Sequence, residues 1–570
     1  MNRPPLGRLG VLLAALLFGF AGIVVRLGFL QVRDASALGT MALQQRVRTI
    51  ELIARRGAIL DRDGKQLALS LAAKDVYADP RYVRDPVRTA ARIAPLLHVS
   101  RARLMSELTG HTTFVYLGRQ VDAEVAARIE RMGLPGIGFL ADAKRYYPSG
   151  PIAPQVLGFV GVDGTGLAGL ELEYQDSLKG RAGERTVEID PAGHFIPQGL
   201  NHDVPPVPGS DLVTTIDRDI QYRVQLELRK AVIQNRAKGG TVIVMDPRTG
   251  DILAMATYPW FDPNRFSTEP PVRLRNPAIV DVYEPGSVNK VITASAALQT
   301  GAWSPGQRMV VSDHWRIGPN VFHDAEHHPR QTMTLGDIIA HSSNVGTIRV
   351  AEALGSERLA QYLARFGLGQ PTGVRFPGES GGIVPPLFRW TSSSMGTIPV
   401  GQGLAVTPLQ MAAVYAAVAN RGVWVQPRLV LGRLDARGHF RASPHPTTRR
   451  VVSAQTASMV TDMLAYAVDA GTGTNAQIRG YWVAGKTGTA LVPRVHGHGY
   501  TNKYDASFIG FTPASRPQLV VACILDEPVT QYGSVAAAPL FRNVARYALA
   551  RLRIAPAPRP PLPPHALPYP

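Results

Sequence analysis

The first strong pattern along the chain is a continuous apolar one. Leu9 to Val25 carries no charged or hydrogen-bonding side chain, which is the short end of a membrane span. Leu27 to Val32 extends it, and Arg26 between them is long enough to snorkel toward an interface. The pattern predicts a transmembrane helix over 9–32 after a short tail, 1–8. Arg3 and Arg8 lie before it, so the tail is expected in the cytoplasm and everything after about Arg33 outside it. A cleaved signal peptide is the competing reading, but no small-residue cleavage pattern follows Gln31-Val32-Arg33-Asp34. No second apolar run of that length occurs.

Beyond the anchor the periodicity is mixed. Residues 33–205 alternate short strands and helices. Arg56 to Gly64 resembles an extended strand closed by an Asp-Gly turn, and Thr89 to Leu97 and Ala123 to Met132 are helical. Gly161 to Gly169 is glycine-dense and expected as a loop. Asn201 to Pro208 holds Pro205, Pro206 and Pro208 and is expected as a linker. From Asp211 the texture changes. Gln221 to Ile233 has helical length and spacing. Thr241 to Asp246 and Asp251 to Ala256 read as strands around a turn at Pro247-Arg248-Thr249-Gly250. Residues 518–525 form a further strand and Phe541 to Leu552 a closing helix. Strands at both ends with helices between them argue an α+β domain over 206–554, its first and last strands in one sheet. Residues 555–570 are proline-rich and are expected as a tail.

Composition narrows the classes. Of 570 residues, 45% are hydrophobic and 18% charged, as in a globular protein. The net charge of +18 raises nucleic-acid binding as a possibility. The arginines are scattered, however, and no dense basic run is interleaved with stacking aromatics, so no nucleic-acid partner is expected. A basic surface also suits anionic lipid or an anionic polymer. The single cysteine, Cys523, excludes an intramolecular disulfide and lies in an apolar run typical of a buried strand.

Three short clusters carry the chemistry. In Ser287-Val288-Asn289-Lys290, Ser287 falls in the first turn of a helix whose Val288, Val291, Ile292 and Ala296 share one face. Lys290, three residues on, can reach its hydroxyl. The helix N-terminus offers N–H groups to an oxyanion. A lysine out of bulk water and beside a second cation, here Lys486, is held neutral enough to act as a base. In Ser342-Ser343-Asn344, the first and third side chains can face one cleft, the serine to relay a proton and the amide to bind a substrate amide. Trp482 to Ala490 reads as a strand containing Lys486-Thr487-Gly488-Thr489. As an edge strand it can bind an extended peptide, with Lys486, Thr487 and Thr489 seating a carboxylate and Gly488 leaving room. Alone, a Ser-x-x-Lys or a Ser-Ser-Asn is an ordinary helix or turn sequence. Together and in order, the three describe a serine enzyme that forms an acyl intermediate without histidine.

These motifs are those of a known family. The chain resembles the class B penicillin-binding proteins, the monofunctional transpeptidases, over nearly its whole length. Arg56-Gly57, Asp61 to Gly64, Arg145-Tyr146-Tyr147-Pro148 and Gly169-Leu170-Glu171 are similar to their N-terminal pedestal, or dimerisation, domain. Thr215-Ile216-Asp217, Met245-Asp246-Pro247, Glu284-Pro285-Gly286-Ser287, Gly401-Gln402-Gly403 and Thr407-Pro408-Leu409-Gln410 are similar to the transpeptidase domain. Ser342 to Gly346, Ser507 to Pro513 and Tyr532-Gly533 resemble the cell-division type (penicillin-binding protein 3) more than the elongation type. Val291 departs from the proline that many relatives carry there.

The resemblance implies a transpeptidase/β-lactamase-like antiparallel sheet flanked by helices, preceded by a mixed α/β pedestal and one transmembrane helix. It implies a peptidoglycan D,D-transpeptidase that is acylated by β-lactams. Ser287 would be the nucleophile, Lys290 the base, Ser342 and Lys486 proton carriers, and Asn344 a substrate-orienting group. Thr487, Gly488 and Thr489 would bind substrate, the N–H groups of Ser287 and Thr489 would form the oxyanion hole, and Tyr532 would wall the pocket. It implies no cofactor and no metal. The partners it implies are stem peptides, a membrane glycan polymerase and other division proteins, at the inner membrane with the catalytic domain in the periplasm.

Rival readings differ in class. A serine β-lactamase or carboxypeptidase would be shorter or carry a deacylating glutamate, and a β-lactam-sensing receptor would carry more membrane spans. A non-catalytic division scaffold would not need the intact triplet. His323 to His328 has metal-ligand residue types but lacks a helical frame and ends at Pro329, so it is expected as a solvated loop near the second cluster. His496 to Gly499 is expected as a mobile loop lining the cleft, and Glu284 as structural.

Overall fold

A five-stranded antiparallel sheet organises the catalytic half of the chain, in the order Ile252–Tyr258, Gly239–Met245, Leu519–Asp526, Tyr500–Thr512, Ala484–Pro493. The first and last strands of the region, Gly239–Met245 and Leu519–Asp526, lie side by side through Val521↔Val244 and Cys523↔Val242. Their apolar runs are continuous because both faces are covered. Val242, Val244, Val521 and Cys523 join the core under helices Arg218–Gln234 and Ala538–Arg551. Ile243, Met245, Val520, Ala522 and Ile524 alternate with them and join the larger core on the other face. That second core holds helices Lys290–Gln299, Asn344–Leu354, Pro408–Ala419 and Ala454–Asp469.

A computed structural model describes residues 6–33, 40–41, 46–189, 196, 199, 201–494 and 499–557. The chain divides into two compact units. One comprises Met1–Arg55 and Gly180–Pro208. It contains the apolar helix Leu6–Gly28, continued by a π-helical turn Phe29–Arg33, and an antiparallel sheet of Val47–Leu52, Gly183–Glu188 and Asn201–Val204. The helical stretch Gly7–Arg33 is long and apolar enough to cross a membrane. The segment expected as a linker is therefore partly a strand. Asn201–Val204 pairs with Gly183–Glu188 through its backbone while all four of its residues stay exposed, and the prolines begin only after it.

The other unit comprises Arg56–Lys179 and Gly209–Pro570. Its second sheet joins both parts of the sequence. Asp211–Thr214 pairs in parallel with Ile59–Leu60 and antiparallel with Val430–Leu434. The turn after Leu60 feeds the long strand Gln66–Ala78, whose two edges take Val115–Asp122 and Ile137–Tyr146. Helices Pro86–Leu97, Arg101–Leu108 and Ala123–Glu130 cover this end with Ile93, Leu104 and Ile129. Beside it, Glu171 is buried between two guanidinium groups, accepting from Arg56 Nε and from Arg145 Nε, each at 2.7 Å. Residues 558–570 of the expected tail lie outside the described residues.

Candidate active site

Ser287 sits in a 3₁₀ turn, Gly286–Asn289, that runs directly into the α-helix Lys290–Gln299. The expected first turn of an α-helix is thus tighter than expected. Gly286 adopts φ +58°, a left-handed conformation that suits glycine. Its N–H donates to the Gly401 carbonyl at 2.9 Å, while Asn289 Nδ2 donates to the Ile398 carbonyl and Thr293 Oγ1 to that of Pro399. The turn is therefore fastened to the 398–401 segment along its length. The helix is not amphipathic, because Lys290 to Leu298 is buried on every side.

Lys290 is fully buried, and its ammonium points at the second cluster. Nζ donates to Asn344 Oδ1 at 2.8 Å, to the Ser342 carbonyl at 2.5 Å and to Ser342 Oγ at 3.3 Å. Ser342 holds φ +61°, a strained conformation for a residue with a Cβ. That twist turns its carbonyl and hydroxyl together toward the lysine. Ser343 points away and caps helix Asn344–Leu354, accepting from Gly346 N at 2.8 Å. Burial pushes Lys290 down to about 7, against an opposing pull from the Asp324 carboxylate. Of the two causes expected, burial and a second cation, burial is the larger influence on Lys290.

The third cluster lies on the edge strand Ala484–Pro493, paired among the described residues on one side only, through Lys486↔Ile509 and Gly488↔Ser507. Lys486 is buried and held well below the ordinary lysine range, by desolvation first and by Lys290 second. Its Nζ donates to Thr487 Oγ1 at 3.2 Å, and Thr487 Oγ1 meets Thr472 Oγ1 at 2.8 Å. A Cβ on Gly488 would lie 2.2 Å from Ser507 Oγ and 3.1 Å from Pro285 O and Val288 Cγ1. One on Gly286 would lie 3.2 Å from Thr489 O. The residues flanking Ser287 thus touch the strand at Gly488 and Thr489, and with Lys290 bonded to Ser342 and Asn344 all three clusters meet at one place. Tyr532 is half-exposed beside it, next to Gly533, whose N–H donates to Thr489 Oγ1 at 3.3 Å.

Two supporting groups complete the site. Glu284 accepts from Gly403 N at 3.0 Å and from Tyr500 OH at 3.0 Å, tying the residues before Ser287 to two other segments. Asp324, in the stretch expected as a solvated loop, has a buried carboxylate. It accepts from Asn344 N, from Val345 N at 3.0 Å, from Ser343 Oγ at 2.8 Å and from His328 Nε2 at 3.0 Å. His327 in the same stretch is exposed, so the loop reading holds for part of it only. Among the described residues no group of three or more His, Cys, Asp or Glu side chains is placed to hold a metal ion. Residues 495–498 of the second histidine stretch lie outside the described residues.

A buried lysine between a hydroxyl and an amide, one turn from a serine and beside an open strand edge, is an arrangement suited to serine acyl transfer. Residues 240–546 match the penicillin binding protein transpeptidase domain, and residues 51–214 the penicillin-binding protein dimerisation domain. The chain belongs to the class B penicillin-binding proteins. It is 36% identical to penicillin-binding protein PbpB of Mycobacterium tuberculosis, over 94% of this chain and 84% of that protein. It is 33% identical to peptidoglycan D,D-transpeptidase FtsI of Escherichia coli, over 96% and 92%. The crystal structure of penicillin-binding protein 3 of Mycobacterium tuberculosis with aztreonam superposes with a TM-score of 0.71 at 32% identity, covering 89% of this chain and 98% of that one.

Proposed function

We propose that this chain is a peptidoglycan D,D-transpeptidase of septal wall synthesis, with Ser287 as its nucleophile. The observation that carries the residue roles is the environment of Lys290. A buried amine near neutrality, held by Ser342 and Asn344 within one turn of Ser287, can take the serine proton at physiological pH. Ser287 Oγ attacks the penultimate D-alanine carbonyl of a stem peptide. Its proton passes to Lys290 Nζ, and the tetrahedral oxyanion rests on the N–H groups of Ser287 and Thr489. The amide C–N bond breaks and the terminal D-alanine leaves with the proton, relayed through Ser342 with Lys486 beside it. An amine of a neighbouring stem then attacks the ester and restores Ser287. Thr487, Gly488 and Thr489 hold the donor peptide along the strand edge, and Asn344 orients its amide.

In this reading the pedestal spans 33–205 and the transpeptidase domain 206–554, a division supported by the two family matches. The helix Leu6–Gly28 anchors the chain once in the inner membrane, with the catalytic unit on the periplasmic side. A membrane glycan polymerase and other division proteins are its partners there. The test is covalent labelling with penicillin followed by mass spectrometry of the tryptic peptides. Label on Ser287 is expected, and label on any other residue sinks the assignment. A fluorescent fusion spread along the sidewall, not gathered at midcell, would overturn the septal role.

A further inference from the structure

Asp324 has no part in the proton path just described, yet it holds two members of the second cluster. Its carboxylate accepts from the backbone of Asn344 and Val345 and from Ser343 Oγ. His323, its neighbour, takes Asn344 Nδ2 on its carbonyl at 2.9 Å. The asparagine is thereby fixed at its backbone and at its amide nitrogen, which leaves Oδ1 aimed at Lys290 Nζ, 2.8 Å away. Ser342, two residues earlier, stays in its strained left-handed conformation only if both of its flanks are held. The lysine fixes its carbonyl, and the clamp on Ser343 fixes the next residue.

The clamp is also charged. Apart from Lys486, Asp324 is the charged group that acts on Lys290, and it favours the ammonium. Its own counter-ion is His328, 17% exposed, whose Nε2 donates to Asp324 Oδ2 while Nδ1 faces the Pro329 carbonyl at 2.7 Å. Asp313 is the other charge acting on His328, and it is itself bonded by His314 and His327 at 2.7 Å each.

We propose that Asp324 is the positioning residue of the catalytic cradle, holding Asn344 and Ser342 in register while its charge, balanced by His328, sets how readily Lys290 gives up its proton. The inference rests on Lys290 being the base for acylation. Its signs follow from electrostatics. The carboxylate stabilises the lysine ammonium, so removing it keeps the amine neutral to lower pH. The His328 imidazolium cancels part of the carboxylate, so removing the imidazolium keeps the ammonium to higher pH.

The experiment is the acylation rate of the full-length, detergent-solubilised protein by a labelled penicillin across pH, for wild type, Asp324→Asn and His328→Gln. Both replacements are near in shape and keep hydrogen-bonding groups. In wild type the rate rises with pH as Lys290 loses its proton. Asp324→Asn is expected to move that limb down by about one pH unit, and His328→Gln to move it up by about half a unit. Opposite displacements support the proposal. Limbs that superimpose on wild type, or that move the same way, overturn it even if the rates fall, because a purely mechanical role lowers the rate without moving the limb. If Asp324→Asn does not fold, as judged by its melting transition, the His328→Gln limb decides alone. A wild type that takes no label at Ser287 removes the proposed function and this inference together. A labelled wild type with unmoved variant limbs removes only the inference.

Discussion

Gly401 and Gly286 pack backbone to backbone: a Cβ built on Gly401 would fall 2.1 Å from the Gly286 carbonyl oxygen. Gly401 also holds φ +84°. Gly401→Ala must therefore push away the residue that precedes the proposed nucleophile. We expect acylation by labelled penicillin to fall about 100-fold, because displacing a reacting group by ~1 Å has that effect. The protein should still fold, with a loss of about 1–3 kcal/mol from backbone strain. An alanine variant with wild-type acylation kinetics would show that the turn is held by something else.

Lys290 is a liability to the fold as well as a proposed base. Its proton affinity in the folded chain, near pH 7, lies below the ordinary 10.5 of the unfolded one. Between those values the unfolded chain binds the proton and the folded chain does not, so stability rises with pH across that window and is lowest below about 7. Lys486 acts in the same direction. Lys290→Met removes the buried charge but leaves Asn344 Oδ1 and the Ser342 carbonyl without their donor. The variant should gain only about 1 kcal/mol at pH 7 and show a flatter rise toward pH 10, while acylation drops by about 10²–10⁴. Chemical denaturation at several pH values checks the first statement and penicillin labelling the second.

Glu171 gives the opposite dissociation of stability from chemistry. It lies between Arg56 and Arg145, and Tyr147 OH also reaches it at 3.3 Å. Glu171→Ala leaves two buried guanidinium groups without their carboxylate, a loss of about 3–5 kcal/mol. The melting temperature should fall steeply while the acylation rate of the protein that remains folded stays within about twofold. A stable variant would mean that the two arginines find other partners.

How far these relationships were legible beforehand depended on their range. The strands Gly239–Met245 and Leu519–Asp526 announce themselves because both faces are buried and the apolar run needs no partner to be read. Ser287 and Lys290 lie within one turn, so their nearness follows from spacing. Lys486 could be placed on an edge strand, but its depth and its bond to Thr487 could not. Asp324 was hidden, because its contacts reach about one turn of loop and twenty positions along the chain with no periodicity to signal them. Its neighbours, His323 and His328, also look like a wet loop or a metal motif. Asn201–Val204 was hidden for another reason. Its side chains are all exposed, and only backbone pairing makes it a strand.

Among the described residues the strand Ala484–Pro493 has one bare flank. A peptide laid along that flank is read largely by amide and carbonyl groups, which every substitution other than proline leaves in place. Discrimination between a true donor and a compact molecule that imitates its main chain must then come from elsewhere, chiefly from the fit around Gly488 and from how long the ester on the serine survives. A chain of this design can evolve slower capture of such imitators, but it cannot refuse their outline without blurring its grip on the wall itself.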